Sequence, residues 1–379
     1  MINDKYGLWL VGGQKFDYKH QALVYATRTN QDVRFWYHDE VFKSVDTNLL
    51  GKISLDVLYK ERALQLRDQY DYLILYYSGG SDSHNILKTF VDNDIKLDEV
   101  CVKWPKPLTE GKFYTANSTD TSAKNVWSEW DLCVVPVLEW LKSNRPNIKI
   151  SVIDWTENIT AVNTTKFLEQ NTNQLYGIGN FKSFAFSKSE REQIDNGKSV
   201  CGIYGIDKPL LVEKDNMAFT FFSDYALIGA PRNIENPNGS ECFYWTKDFP
   251  LLALAQAYTM FTWFNVNRDK RKYLYNNQAT TRECSSFQNK VVRPIIYNST
   301  WDNRFQADKK TSNIGLDMYD WFVQSDELQS VNQSYMDNLY HFTSDIDKRF
   351  LKTNDILGNK YFSVPNAITT PWIYLGNFN

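Results

Sequence analysis

The chain is poor in the residues that most often declare a chemistry by themselves. Five cysteines (Cys101, Cys133, Cys201, Cys242, Cys284) in 379 residues are odd in number and widely spaced, which argues against both a disulfide framework and a zinc ribbon. No apolar run reaches the roughly 18 residues that span a bilayer, and the opening Met-Ile-Asn-Asp-Lys-Tyr-Gly lacks the apolar core of a signal peptide. A cytoplasmic protein with no membrane partner is the expectation. A net charge of −3 gives no global pull toward nucleic acid. No internal repeat is visible. What the chain has instead is 42% apolar, 23% charged and 15% aromatic residues, a globular composition whose core is rich in rings.

One stretch organises the rest. Tyr72 to Tyr77 is a continuous apolar and aromatic run of the length of a buried strand. Ser78-Gly79-Gly80-Ser81-Asp82-Ser83 must then turn the backbone, and Ile86, Leu87, Phe90 and Val91 recur with the spacing of one helix face. Strand, glycine turn and helix start aim backbone N–H groups outward at the positive end of a helix dipole, which favours an oxyanion. Asp82 in the same turn would repel a bare anion, and Mg²⁺ between carboxylate and phosphates reconciles the two. The competing reading is an ordinary Gly-rich turn of a parallel sheet. No Gly-Lys-Ser/Thr follows, so this is not a Walker A loop.

Flanking segments supply an α/β frame. Leu8–Val11 and Val33–Tyr37 are strand candidates in a small lead-in, with a turn at Gly12-Gly13 and a His38-Asp39 pair read as a hydrogen-bonded turn ahead of a metal site. Ser54 caps a helix through Leu66, whose Arg62 and Arg67 read as a solvated face. Leu97–Val102 is the next strand. A helix over Trp127–Leu141, with Pro136 as a kink, and a strand Ile148–Ile153 ending at Asp154-Trp155 follow. Crossovers of this length imply a parallel sheet with helices on both faces. Ligands of such sheets sit at the strands' carboxyl ends, so Asp154 and Trp155 share a rim with Ser78–Ser83, Trp155 as an adenine neighbour or as packing.

Ser187-Lys-Ser-Glu190 is a capping box and Asn196-Gly197 a helix stop. The strand of Lys198–Gly205 runs into Ile206-Asp207-Lys208, and Leu210–Phe222 is a hairpin turning at Asp215-Asn216. Pro250 opens a helix through Phe264. Residues 267–295 are basic and polar, a charged surface segment or a nucleic-acid contact. Leu328 to Phe350 has the apolar spacing of a long amphipathic helix. The organisation expected is a lead-in (1–60), an α/β core (61–260) and a mainly helical C-terminal region (261–379), with a homo-oligomer possible through the last helix.

Ser78-Gly-Gly-Ser-Asp-Ser83 resembles the signature of the PP-loop ATP pyrophosphatases, which include the synthetase domains of asparagine and GMP synthetases, tRNA-modifying thiolases and adenylylsulfate reductases. The phrase Tyr70–Ser83 resembles PP-loop proteins carried by tailed phages. The resemblance implies a HUP-type sheet and ATP with its pyrophosphate on Ser78, Gly79, Gly80, Ser81, Asp82 and Ser83. It further implies Mg²⁺ on Asp82 and Asp207, Lys208 against the leaving pyrophosphate, and Gly205 in a second ligand-contacting turn. The activity implied is adenylation of an acceptor oxygen followed by displacement of AMP by a nitrogen nucleophile, in a ligase or in nucleotide or nucleic-acid modification. Ile2 stands where class II glutamine amidotransferases carry a catalytic cysteine, so the amine must come from elsewhere. Sulfur transfer through Cys201, which the sequence puts near the rim, is one alternative; nucleotide binding without turnover is another.

Overall fold

The structure is a computed structural model and describes residues 4–104, 130–155, 186–206, 209–224, 239–274, 291–301, 326–353 and 363–379. Five strands form its central sheet: β4 (Tyr72–Tyr76), β5 (Glu99–Trp104), β6 (Lys149–Asp154), β7 (Val200–Tyr204) and β10 (Ser240–Cys242). Every pairing in it is parallel, in the order β10-β7-β4-β5-β6. From β4 the chain steps to β5 and β6 on one side, then crosses back to β7 and β10 on the other. The order therefore reverses between β4 and β7.

Alternation along β4 supplies both faces of this sheet. Leu73, Leu75 and Tyr77 enter the main core, where α3 (Leu55–Gln69) and α4 (Ser81–Asp92) lie on β4. Ile74 and Tyr76 join Cys101, Val200 and Tyr204 on the opposite side, where α6 (Lys188–Asp195) packs on β7. The α/β class with a parallel sheet and helices on both faces is thus as the sequence indicates.

Local signals act where expected. Ser54 Oγ accepts from Val57 N at 3.4 Å and caps α3. Ser187 caps α6, but the box closes differently: Glu190 accepts from the Tyr76 hydroxyl at 2.7 Å, while Ser187 Oγ donates to Glu99 at 2.5 Å. Asp215 and Asn216 both take positive φ (52° and 61°), as the turn joining β8 (Leu210–Lys214) to β9 (Met217–Phe221) requires. Gly12 and Gly13 do the same between β1 (Leu8–Val11) and β2 (Gln14–Phe16), so they serve a hairpin.

Other expectations shift. Trp130–Val134 is a π-helical turn that runs without a break into α5 (Val135–Asn144), and Pro136 sits at the junction of the two. The wider π turn accommodates the ring and the missing N–H of the proline, as at other proline-linked irregularities within helices. α7 (Pro250–Val266) opens on its proline. The long C-terminal helix α8 (Asp326–Ser344) stops before Ile346 and Phe350. Among the described residues the C-terminal region also holds strands that its spacing does not indicate: β11 (Leu351–Thr353) pairs with β12 (Ser363–Pro365). β13 (Ile373–Asn377) pairs antiparallel with β9. One core cluster accordingly runs from Tyr6 to Phe378. No helix among the described residues is long and apolar enough to cross a membrane.

Candidate functional site

In open α/β sheets ligands usually sit where the strand order reverses, outside the carboxyl ends of the strands, which here is the position beyond β4 and β7. The turn of Ser78–Ser83 leaves β4 there. Gly79 has φ +80°, a conformation that an L side chain strains to adopt. Gly80 precedes α4 in extended conformation and offers no side-chain cap. The serines take over that task. Ser78 Oγ accepts from Gly80 N at 3.3 Å, Ser83 Oγ accepts from Ser78 N at 3.2 Å, and Ser83 Oγ donates to Gly80 O at 3.1 Å. Two of the three hydroxyls therefore hold the turn closed. The third, Ser81 Oγ at the first helical position, is buried and makes no hydrogen bond, which is the condition of a donor kept for a ligand.

Asp82 is held from two sides. Its Oδ1 accepts from the Tyr297 hydroxyl at 2.7 Å, and its backbone carbonyl accepts from the Tyr244 hydroxyl at 2.7 Å. Asn85, one turn along α4, donates to Tyr244 Oη at 3.0 Å and accepts from Thr300 Oγ1 at 2.7 Å. Burial first, and then the Asp82 charge among its neighbours, raises the Tyr297 phenol well above its ordinary value. Tyr244 is raised likewise by burial and then by Tyr59 and Asp82, so both phenols remain donors at neutral pH. Tyr244, Tyr297 and Thr300 escape the sequence reading, since nothing in their spacing ties them to residue 82, and Asn85, though one turn along the same helix, carries no signal of its own.

The second turn singled out by sequence does meet the first. A Cβ built on Gly205, directly after β7, would lie 3.1 Å from Asp82 C and Ser83 N. The two turns are in backbone contact, which glycine alone permits without a shift. Gly205→Ala is expected to lower stability by about 1–2 kcal/mol, since the neighbour that must yield is main chain rather than a mobile side-chain end. Urea denaturation checks this, with Gly205→Val costing more. Equal midpoints for all three proteins would show that the contact carries no constraint.

The remaining candidates fall as follows. Asp207 and Lys208 lie outside the described residues. Asp154 ends β6, paired with Trp104, two strands from β4 and so on the order of 10 Å from its end. Trp155 is a buried member of the main core. His38 caps a short helix and bonds the Asp4 carbonyl at 2.9 Å, a turn as expected. Among the described residues no group of three or more His, Cys, Asp or Glu could hold a metal ion by itself. A cation at this loop would lean on Asp82 and on phosphate oxygens, which suits magnesium, a metal usually bound by one or two carboxylates plus substrate phosphates.

Two expectations are overturned. Cys201 is not at the rim: it pairs with Leu73 at the amino end of the sheet, is fully buried, and burial drives its thiol well above the ordinary value. Arg62 is not on a solvated face either. It is wholly buried, with its guanidinium 2.8 Å from Glu241 Oε2 and donating to the carbonyls of Cys242 and Phe243. Arg67, on the same helix, is half-buried and bonds Asp98 at 2.6 Å. Comparison of the chain with family models, with curated proteins and with solved structures gave no match.

Proposed function

We propose that the chain is an AMP-forming ATP pyrophosphatase of the PP-loop kind, with a HUP-type sheet, acting from the loop Ser78–Ser83. The observation that carries the reading is the seating of this loop: it leaves the central strand at the reversal of strand order and starts a helix of 12 residues. The orphaned Ser81 hydroxyl and the N–H groups of the first turn of α4 suit the oxygens of a pyrophosphate held as a unit. The next lysine along α4, Lys88, is engaged with Asp92 at 2.7 Å two turns further on, so the helix brings no lysine to a terminal phosphate.

In this reading an acceptor oxygen attacks the α-phosphorus of ATP. The new O–P bond forms as the bond from the α-phosphorus to the bridging oxygen breaks, and pyrophosphate carries away that electron pair. A nitrogen nucleophile then displaces AMP from the adenylated acceptor. The chain's contribution is to fix the departing pyrophosphate by hydrogen bonds and to keep the loop from relaxing, a matter of position and charge. Bound magnesium would neutralise phosphate charge with Asp82 as its protein ligand, joined by Asp207 if the residues after Gly205 follow the family pattern, where Lys208 would face the leaving group. Sulfur transfer gains no support, because all four described cysteines are buried.

The test is which bond in ATP breaks. With α-labelled ATP, quenched reactions are expected to show the label in AMP, with pyrophosphate as co-product and acceleration by the correct acceptor. Label in ADP would mean terminal phosphoryl transfer and would end the pyrophosphatase reading.

A further inference from the structure

We propose that Arg293 binds the phosphate chain of the nucleotide held at Ser78–Ser83, supplying the positive charge that the loop itself lacks. This inference rests on the ATP reading above and assigns a further contact to it. Arg293 belongs to the short helical segment of residues 291–296 and is half-buried, yet its Nε is closed off from water and makes no hydrogen bond. Among the described residues no carboxylate pairs with it. A guanidinium stays charged at neutral pH, so withdrawing one of its donors from water without a partner is unfavourable. Arg62 shows how this fold treats a structural arginine: Glu241 and the carbonyls of Cys242 and Phe243 take up its donors. Arg293 has no such set.

Position indicates what the missing partner is. Tyr297 Oη meets Asp82 at the start of α4, and Thr300 Oγ1 meets Asn85 one turn along, so this segment runs beside α4 in the same direction. Its spiral is continuous, since Tyr297 N donates to Arg293 O and Thr300 N donates to Tyr297 O, each at 3.0 Å. Arg293 therefore stands one turn before Tyr297, on the same face and about 6 Å away along the axis. That step carries it past the start of α4, to the side on which the first-turn N–H groups of that helix point. Helical side chains lean toward the N-terminus of their own helix, which turns the guanidinium further the same way. The segment is anchored behind it: Val292 and Ile296 are buried in the main core, and Tyr59 Oη donates to Ile296 O at 2.7 Å.

Two buried donors thus stand unmatched at one rim, the Ser81 hydroxyl and Arg293 Nε. A phosphate chain suits both, because it offers several oxygens on adjacent phosphorus atoms and a guanidinium fork takes phosphate oxygens two at a time. The cation also offsets the charge of Asp82, which would otherwise oppose an anion at the same turn. An arginine kept for the fold leaves its partners unsatisfied when it is removed. Arg293 would leave none behind in the unliganded protein, so its loss is expected to move stability and anion binding in opposite directions.

The experiment is calorimetric titration of the full chain with inorganic pyrophosphate and with ATP, in wild type, Arg293→Met, Arg293→Lys and Lys88→Gln, beside urea denaturation of each unliganded protein. Arg293→Met is expected to weaken both ligands by about 10- to 100-fold, the scale of one charge-assisted contact, while its urea midpoint stays at or above that of wild type. Arg293→Lys keeps the charge without the fork and is expected to lose part of that factor, which secures the test if the methionine variant does not fold. Lys88→Gln removes a positive charge two turns along α4 and is expected to stay within about twofold of wild type, since an exposed charge is screened. Affinities unchanged in both Arg293 variants overturn the assignment and leave the ATP reading standing. A lowered midpoint in Arg293→Met overturns it as well, by marking the arginine as a residue of the fold. Wild type that takes up neither pyrophosphate nor ATP overturns the ATP reading itself, and the role of Arg293 with it.

Discussion

Glu241→Ala is expected to destabilise the protein by about 3–5 kcal/mol, because it strips the counter-ion from a guanidinium that has no access to water. Glu241 Oε2 lies 2.8 Å from Arg62, and Oε1 takes Lys5 at 2.8 Å and the Tyr70 hydroxyl at 2.9 Å. Arg62 is fully buried, so it cannot turn to solvent when the carboxylate is gone. Its other bonds, to Gln65 and to two carbonyls, satisfy donors but supply no opposite charge. Glu241→Gln, which retains an acceptor for Tyr70, is expected to lose less. Urea denaturation at neutral pH checks the order, and a loss under about 1 kcal/mol for the alanine variant would mean that Arg62 finds another partner.

The same network sets an acid limit. Burial pushes the Glu241 carboxyl up, and Arg62, Lys5 and Tyr70 more than reverse this, leaving it below its ordinary value. A depressed folded-state pKa contributes stability that is fully present above the unfolded-state value and is lost as pH falls through the folded one. Wild type should therefore lose this contribution below about pH 4, and Glu241→Gln, with no carboxyl there to titrate, should lose less on the same acidification.

The residues that were legible in sequence are those whose physics is local. Ser54, Pro250 and the Asp215-Asn216 turn act on backbone within a few positions of themselves, and each does so in the fold. The loop was legible for the same reason, since strand, glycine and helix are written side by side. Arg62 was not, because its partner Glu241 is 179 positions away and helical spacing cannot tell a buried cation with a distant carboxylate from a solvated one. Tyr297 is the same case at 215 positions from Asp82: it stands in an apolar stretch with no motif, and only the packing of residues 291–301 against α4 brings it to the loop. Cys201 shows a different failure. The strand was identified but its direction of exposure at each end was not, and the cysteine belongs to the end remote from the ligand rim. The strand β13 could not be foreseen, since its partner β9 is fixed by tertiary contact rather than by a turn.

Asp82→Asn separates chemistry from folding at the loop itself. Asparagine has the shape of aspartate, and its Oδ1 can still accept from Tyr297 as the aspartate oxygen does at 2.7 Å. The Tyr244 bond runs to the main-chain carbonyl and does not depend on the side chain. Stability is therefore expected to stay within about 1 kcal/mol of wild type. Charge is what changes. Without the carboxylate, ATP in the absence of metal meets less repulsion at the start of α4 and is expected to bind as tightly as in wild type or more so. With magnesium present the advantage inverts, because a neutral amide is a poor ligand for a hard divalent cation. Stabilisation of developing phosphate charge by a metal amounts to several kcal/mol, which is on the order of 10²–10³ in rate. Conversion of ATP to AMP and pyrophosphate is expected to fall by that factor. A residue that merely held the loop together would show the opposite pairing, with stability and metal-free ATP binding lost alongside turnover. Wild-type turnover in Asp82→Asn would remove the aspartate from the reaction altogether.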